Sequence, residues 1–308
     1  MCRILGPMAY YEGFEAVEAM QAASEAAGWD CEYRQMEAGQ LEARTVFQPV
    51  GKSSLICETA NRRLDISAKT PEGAVTVLVP LAGTRILING RRLTDDRLMF
   101  LAPDIDFHAS SNGGAEVWSI HLDATQLDDA IDLDRLGTHV LEDRIDGLEL
   151  LRHAIMDSLD EGRDSAMAHC ESRFADLTEM LLASDSSSNE SDLYHRRQKR
   201  KALARAVEYF KEHSTGSVRM GRVCAYAGVS QSTLERLFRR EFQQTPSSYL
   251  KARRLDAVRR ELKQSLRDSK TIAEVAAGHG FARLGRFASS YRKQFGVLPS
   301  EDMQLHQS

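Results

Sequence analysis

Apolar residues recur at helical spacing over residues 10–29, and from about 41 to 123 the spacing changes to short β-rich runs such as VTVLVPLAGTRILING, RLMFLAP and AEVWSIHL. Turn signals separate these runs: Asn89-Gly90, Pro103-Asp104 and Asn112-Gly113-Gly114. Short strands at such spacing predict an antiparallel barrel or a double-sheet jelly roll, a cupin-like β-barrel with flanking helices. Residues 126–183 return to helical periodicity, with Leu148, Leu151, Ile155 and Leu159 on one face and Phe174, Leu177 and Leu181 on another. The stretch LLASDSSSNESDLYHRRQKRK then loses all apolar periodicity and reads as a linker, the alternative being a solvated loop within one domain. Beyond it, ALARAVEYFKEH places Ala202, Ala206, Tyr209 and Phe210 on a helical stripe, and SYLKARRLDAVRRELKQS does the same with Leu250, Leu255, Val258 and Leu262. The expected class is α+β: a first domain at 1–183, a linker at 184–197 and an all-α domain at 198–308.

The all-α part repeats itself. Val223 and Gly228 match Val275 and Gly280 at a separation of 52, whereas Leu234, Phe238, Phe242 and Pro246 match Phe287, Tyr291, Phe295 and Pro299 at 53. Each copy predicts a helix, a turn at Ala227-Gly228-Val229 or His279-Gly280-Phe281, and an amphipathic helix of about a dozen residues. Glycine accepts the positive φ of a tight turn, and Ser230 is placed to cap the helix after it. This is helix-turn-helix architecture, twice. A recognition helix fits the major groove, and two on one face of a duplex sit roughly 34 Å apart. A connecting helix from Tyr249 to Gln264 would span about 24 Å, the right scale for that separation.

A chain of 308 residues is long enough for two domains. No window approaches a membrane span, and the N-terminus turns acidic where a signal peptide would be apolar, so a cytoplasmic protein is expected. Cys2, Cys31, Cys57, Cys170 and Cys224 are dispersed and never spaced as CxxC, which predicts buried thiols rather than a disulfide frame or a zinc site. Charge changes the picture more. From Arg196 onward there are 24 Lys plus Arg against 10 Asp plus Glu, a balance of +14; the preceding residues hold 16 against 35, a balance of −19. One half is built to meet a polyanion and the other is not.

With Leu234, Leu237 and Phe238 turned inward, Ser232, Glu235, Arg236 and Arg239 are left to face outward on the first recognition helix. With Phe287 and Tyr291 inward, Arg283, Leu284, Gly285, Arg286 and Ser289 face outward on the second. Arginine makes bidentate contacts to guanine, glutamate accepts from cytosine N4, and leucine can touch a thymine methyl. Arg283 and Arg286 can instead clamp phosphate.

The segments AYAGVSQSTLERLFRREFQQTPSSYLKARRLDAVRREL and IAEVAAGHGFARLGRFASSYRKQFGVLPS resemble the paired helix-turn-helix domain of AraC/XylS-type transcription regulators over residues 198–302. HGFARLGRFASSYRKQFG and, near the N-terminus, WDCEYRQMEAGQLEARTVF are similar to the ethanolamine-utilisation-regulator branch. The resemblance implies a seven-helix domain that binds double-stranded promoter DNA, activation through contact with RNA polymerase, and a cupin-like first domain that binds an effector or forms a homodimer. It assigns base reading to Ser232, Glu235 and Arg236 and to Leu284, Gly285 and Ser289. The second set departs from the family's polar residues, which moves weight to Arg283, Arg286 or shape readout.

In the first domain His108 and His121 stand on separate β-rich runs without a His-x-His and nearby Glu, so no metal site is expected. GxSxG is absent and no Cys/His pair stands out, which argues against an enzyme. NRRLDIS is similar to part of the motif with which PilZ domains hold cyclic di-GMP, and offers Arg62, Arg63, Asp65 and Ser67. Thr70 stands where that pattern has Gly, and Arg34 or Arg44 would supply the further arginine. Arginines pair with phosphates and stack on guanine, while the aspartate accepts from guanine N–H groups. A cupin-type enzyme on a nucleic-acid tether and an architectural DNA-binding protein without sequence preference are the rival readings.

Overall fold

A computed structural model describes residues 9–128, 136, 138–141, 145–160, 164–183, 190–213, 215–216, 218–264 and 270–305. The chain divides into two compact units, Met1–Tyr33 with Leu41–Ser188, and Arg34–Gln40 with Asn189–Ser308. Cys2 and linker residues 184–189 lie outside the described residues, as do the side chains of Leu159 and Cys170.

The first unit runs β1 (Ala9–Glu12), α1 (Gly13–Ala26), β2 (Asp30–Gln35), β3 (Glu42–Val50), β4 (Ser53–Ala60), β5 (Leu64–Lys69), β6 (Ala74–Pro80), β7 (Arg85–Ile88), β8 (Arg91–Thr94), β9 (Leu98–Leu101), β10 (Asp106–Ser111), β11 (Ala115–Asp123) and β12 (Thr138–Leu141). Helices α2 (Ile145–Asp160) and α3 (Asp164–Ala183) follow. The strands make a seven-stranded sheet in the order β1-β3-β4-β11-β6-β9-β12 and a five-stranded sheet in the order β2-β5-β10-β7-β8. This corrects the expected cupin-like barrel, whereas the alternative of a double sheet agrees with two separate sheets. Closure needs the first and last strands to pair, and among the described residues β1 and β12 are edges of one sheet and β2 and β8 of the other.

Strands β4, β6 and β11 are covered on both faces. Cys57, Val75, Val77, Val79, Trp118, Ile120 and Leu122 pack against Leu148, Leu151, Ile155 and Phe174 of α2 and α3. Their neighbours Leu78, Ala115 and Val117 pack the other way, with Leu64, Ile86, Ile88, Phe107 and Ala109 of the smaller sheet and with Ala16, Val17 and Met20 of α1. A sheet covered on both faces favours apolar residues on both, which is why AVTVLVP is apolar at every position but Thr76. The turns follow the predicted chemistry. Asn89 and Gly90 both take positive φ, 45° and 74°, in the two-residue link between β7 and β8. Gly51, at φ 62°, is required for another reason: a Cβ there would fall 2.0 Å from the Glu171 carboxylate, which accepts from Lys52 N–H and Ser53 Oγ.

The second unit holds seven helices among the described residues: α4 (Glu190–Glu212), α5 (Met220–Ala227), α6 (Gln231–Phe242), α7 (Pro246–Gln264), α8 (Ile272–Gly278), α9 (Leu284–Phe295) and α10 (Pro299–Leu305). Because α4 begins at Glu190, the second half of the predicted linker is helical backbone. Phe210, Phe238, Phe242 and Tyr249 stack as one aromatic cluster, with ring centroids 4.9–6.0 Å apart. Leu255, Val258 and Leu262 of α7 join Val275, Phe287, Tyr291 and Phe295 in a second. This unit also takes in the run Arg34–Gln40, where the Gln35 and Gln294 side chains each donate to the other's main-chain carbonyl at 3.0 Å.

Beside the second cluster, Arg259 donates to both carboxylate oxygens of Asp302 at 2.7 and 3.1 Å, and Tyr291 donates to the same carboxylate at 2.6 Å. The Arg259 guanidinium lies 4.5 Å from the centre of the Phe295 ring. Both charges are buried, so removing one leaves the other stranded. We predict that Asp302→Ala destabilises the second unit by about 3–5 kcal/mol. Arg259→Met combined with Asp302→Leu should cost much less; urea unfolding of both variants is the check.

Candidate functional site

Each of α6 and α9 follows a short helix and a turn. Gly228 takes φ 71° as the cap of α5, and Ser230 opens α6 by accepting from Thr233 N–H. The first turn has three residues and the second five, 279–283, with Gly280 at φ 82°. Arg283 caps α9 without a side-chain hydrogen bond. Leu234, Leu237, Phe238 and Phe242 are buried along one side of α6, as are Phe287, Tyr291 and Phe295 along α9.

The opposite sides carry the predicted residues. Ser232, Arg236 and Arg239 are exposed and Glu235 is half-buried; Arg283, Leu284, Gly285, Arg286 and Ser289 are all exposed. Leu284 is an apolar side chain left 49% in solvent at the start of α9. Glu235 accepts from Gln231 at 3.2 Å and lies 3.8 Å from Arg239, contacts worth about 0–1 kcal/mol in solvent. A polyanion can displace them. Arg219 and Arg222 near α5, Lys251 on α7, and Arg292 and Lys293 on the last turn of α9 are exposed as well, outside the residues that the repeat singles out. Their signal was only the charge balance of the region. The capping box of α8 also lies outside them, with Thr271 and Glu274 each accepting from the other's main-chain N–H.

The arrangement defines the class. Residues 223–304 match a helix-turn-helix domain family, a span that covers both helix pairs. The chain is 35% identical over 102 residues to XylDLEGF operon transcriptional activator 2 of Pseudomonas putida, covering 33% of this chain and 65% of that protein. It is 34% identical over 99 residues to a probable thc operon regulatory protein of Rhodococcus erythropolis, covering 32% of this chain and 30% of that one. The crystal structure of the AraC-like transcriptional activator CuxR is similar at 16% identity and a TM-score of 0.45, covering 80% of this chain and 93% of that one. Residues 223–304 form a helix-turn-helix domain similar to those of the two operon regulators. The two operon proteins are named for control of transcription. The chain spans less than two thirds of the length of the two operon regulators it matches.

In the first unit, Arg62 and Arg63 are half-buried in the β4–β5 turn, and Arg62 donates to the Asn61 carbonyl at 3.3 Å. Asp65 is fully buried with a carboxylate oxygen 2.9 Å from His108 Nε2, and Ser67 pairs in register with His108 across β5 and β10. Arg34 belongs to the second unit, whereas Arg62, Arg63, Asp65 and Ser67 belong to the first. Among the described residues no group of His, Cys, Asp and Glu is placed to hold a metal, and no helix is long and apolar enough to cross a membrane. Cys31, Cys57 and Cys224 are buried thiols.

A cavity of about 70 Å³ lies between the two sheets and beside α1. Its lining is apolar except at a few places. At one, Tyr33 Oη donates to Glu58 at 2.8 Å and lies 2.8 Å from Ser24 Oγ. Burial raises the Glu58 carboxyl to about 7 against the hydrogen bonds from Tyr33 and Ser24, and pushes the Cys31 thiol up to about 12. At another, Trp29 Nε1 donates to His121 Nδ1 at 3.0 Å, and burial lowers His121 to about 4, so its ring is neutral.

The carboxyl of Glu58 takes up its proton at higher pH folded than unfolded. The stability this contributes is complete below about 4.5 and lost as pH rises through about 7. We predict that Glu58→Gln, compared with the unaltered chain, removes a fall of about 1–3 kcal/mol across that window. Thermal unfolding of both proteins between pH 4.5 and 7.5 measures it.

Proposed function

We propose that this chain is a sequence-specific DNA-binding regulator of transcription, acting as an activator through RNA polymerase and governed by a small-molecule effector or homodimer formation through its first unit. The observation that carries the reading is the pair of amphipathic helices α6 and α9. Each buries an aromatic stripe and presents arginines on its other side, in a segment whose charge balance is +14. In this reading α6 and α9 enter successive major grooves of a promoter. Ser232, Glu235 and Arg236 read bases from α6, with Arg239 beside them. On α9, Leu284 contacts a thymine methyl, Gly285 lets the backbone approach, Ser289 bonds a base or phosphate, and Arg283 and Arg286 supply charge. The 19 residues of α7 span about 28 Å, the scale of one helical turn of DNA once module width is added.

Within the first unit two places compete for an effector. Cyclic di-GMP at Arg62, Arg63, Asp65 and Ser67 is supported by the adjacent arginines in the β4–β5 turn; the burial of Asp65 against His108 weighs against it. The internal cavity has the stronger geometry.

Footprinting full-length protein on its own promoter region tests the reading, with one discrete protected site expected. Even coverage of all fragments would favour an architectural protein instead. Arg236→Ala should weaken binding by about 1–3 kcal/mol and relax discrimination at one base pair, whereas Arg286→Ala should weaken all sequences alike and lower the salt slope by about one. Fluorescence anisotropy over a salt series separates the two.

A further inference from the structure

The cavity in the first unit has a chemistry of its own. At about 70 Å³ it holds several water-sized groups, since one water needs roughly 10–15 Å³ of such space. Ile56, Leu78, Ile88, Phe107 and Val117 are among the side chains that line it, and no Lys or Arg does.

His121 supplies a specific polar feature. It lines the cavity and is only 3% exposed. Because Trp29 donates to Nδ1, the neutral ring carries its proton on Nε2, and that atom meets no hydrogen-bond partner. Buried donors are rarely left unpaired, so an unsatisfied N–H at a cavity wall marks where an acceptor belongs. Glu58 stands elsewhere along the same wall: His121 faces Ser54 and Val117 faces Glu58 in the β4–β11 register, a displacement of four residues or roughly 13 Å.

We propose that this cavity binds a small uncharged molecule with an apolar body and one carbonyl or hydroxyl oxygen, the oxygen accepting from His121 Nε2–H. A carboxylate is disfavoured, because it would be buried with no cation in the lining and with Glu58 on the same wall. A hydrocarbon fills the space but leaves the donor unpaired. A cyclic dinucleotide brings two phosphates into a chamber without positive charge. The assignment rests on the ligand-responsive role given above to the first unit, and deepens it by naming the ligand class.

Titration calorimetry on the full chain with cyclohexanone, toluene and benzoate tests it. Cyclohexanone should bind at least tenfold more tightly than benzoate and several-fold more tightly than toluene. In His121→Phe the affinity for cyclohexanone should fall about tenfold while that for toluene holds, and His121→Gln, which keeps a donor, should recover part of the loss. Ser119→Leu, which fills the cavity from its wall, should abolish binding of both and retain a cooperative thermal transition. Equal affinity for benzoate, no binding of cyclohexanone, or unchanged binding in Ser119→Leu would overturn the proposal. Footprinting with saturating cyclohexanone is read separately: binding without any change in the footprint upholds the site and defeats only the regulatory role of the first unit.

Discussion

A single helix, α7, must satisfy two cores at once. Its N-terminal end places Tyr249 among Phe210, Phe238 and Phe242, and its later turns place Leu255, Val258 and Leu262 against Phe287, Tyr291 and Phe295. Neither aromatic cluster is complete without it, so the outward sides of α6 and α9 are set by the same rigid rod. The buried Arg259–Asp302 pair, tied to Tyr291, fastens α7 to α9 and α10 where the second cluster ends. Hydrophobic burial supplies the stability here, and the directional ion pair restricts how the helices meet.

The second unit was highly legible in the amino-acid sequence because its signals are local. Ser230 caps a helix within its own turn, Gly228 and Gly280 take the positive φ that their turns demand, and the repeated aromatics fall on buried stripes. The Arg259–Asp302 bond was not legible, since 43 residues separate its partners and neither departs from a plausible surface charge. For the outward sides of α6 and α9, exposure is settled residue by residue. Which side chain meets which base depends on a duplex.

The first unit was legible as strands but not as their assembly. Runs such as AVTVLVP announce burial without saying by what, and the cover turned out to be α2 and α3 on one face and the second sheet on the other. A barrel and an open pair of sheets share the same local pattern; only non-local pairing distinguishes them. Short strands at the edges were also hidden. β1 lies within the stretch read as helical, β2 follows it directly, and β12 sits in a region of helical spacing, each too brief to set its own period. Trp29 and His121, 92 residues apart, meet for the same non-local reason.

The continuous helical geometry of α7 makes its length a coded quantity. One added residue within it would advance everything downstream by about 1.5 Å and turn it by about 100° around the rod, swinging the exposed side of α9 away while that of α6 stayed in place. Loops elsewhere absorb insertions cheaply. Here a single extra codon would put two exposed faces that share one axle out of step.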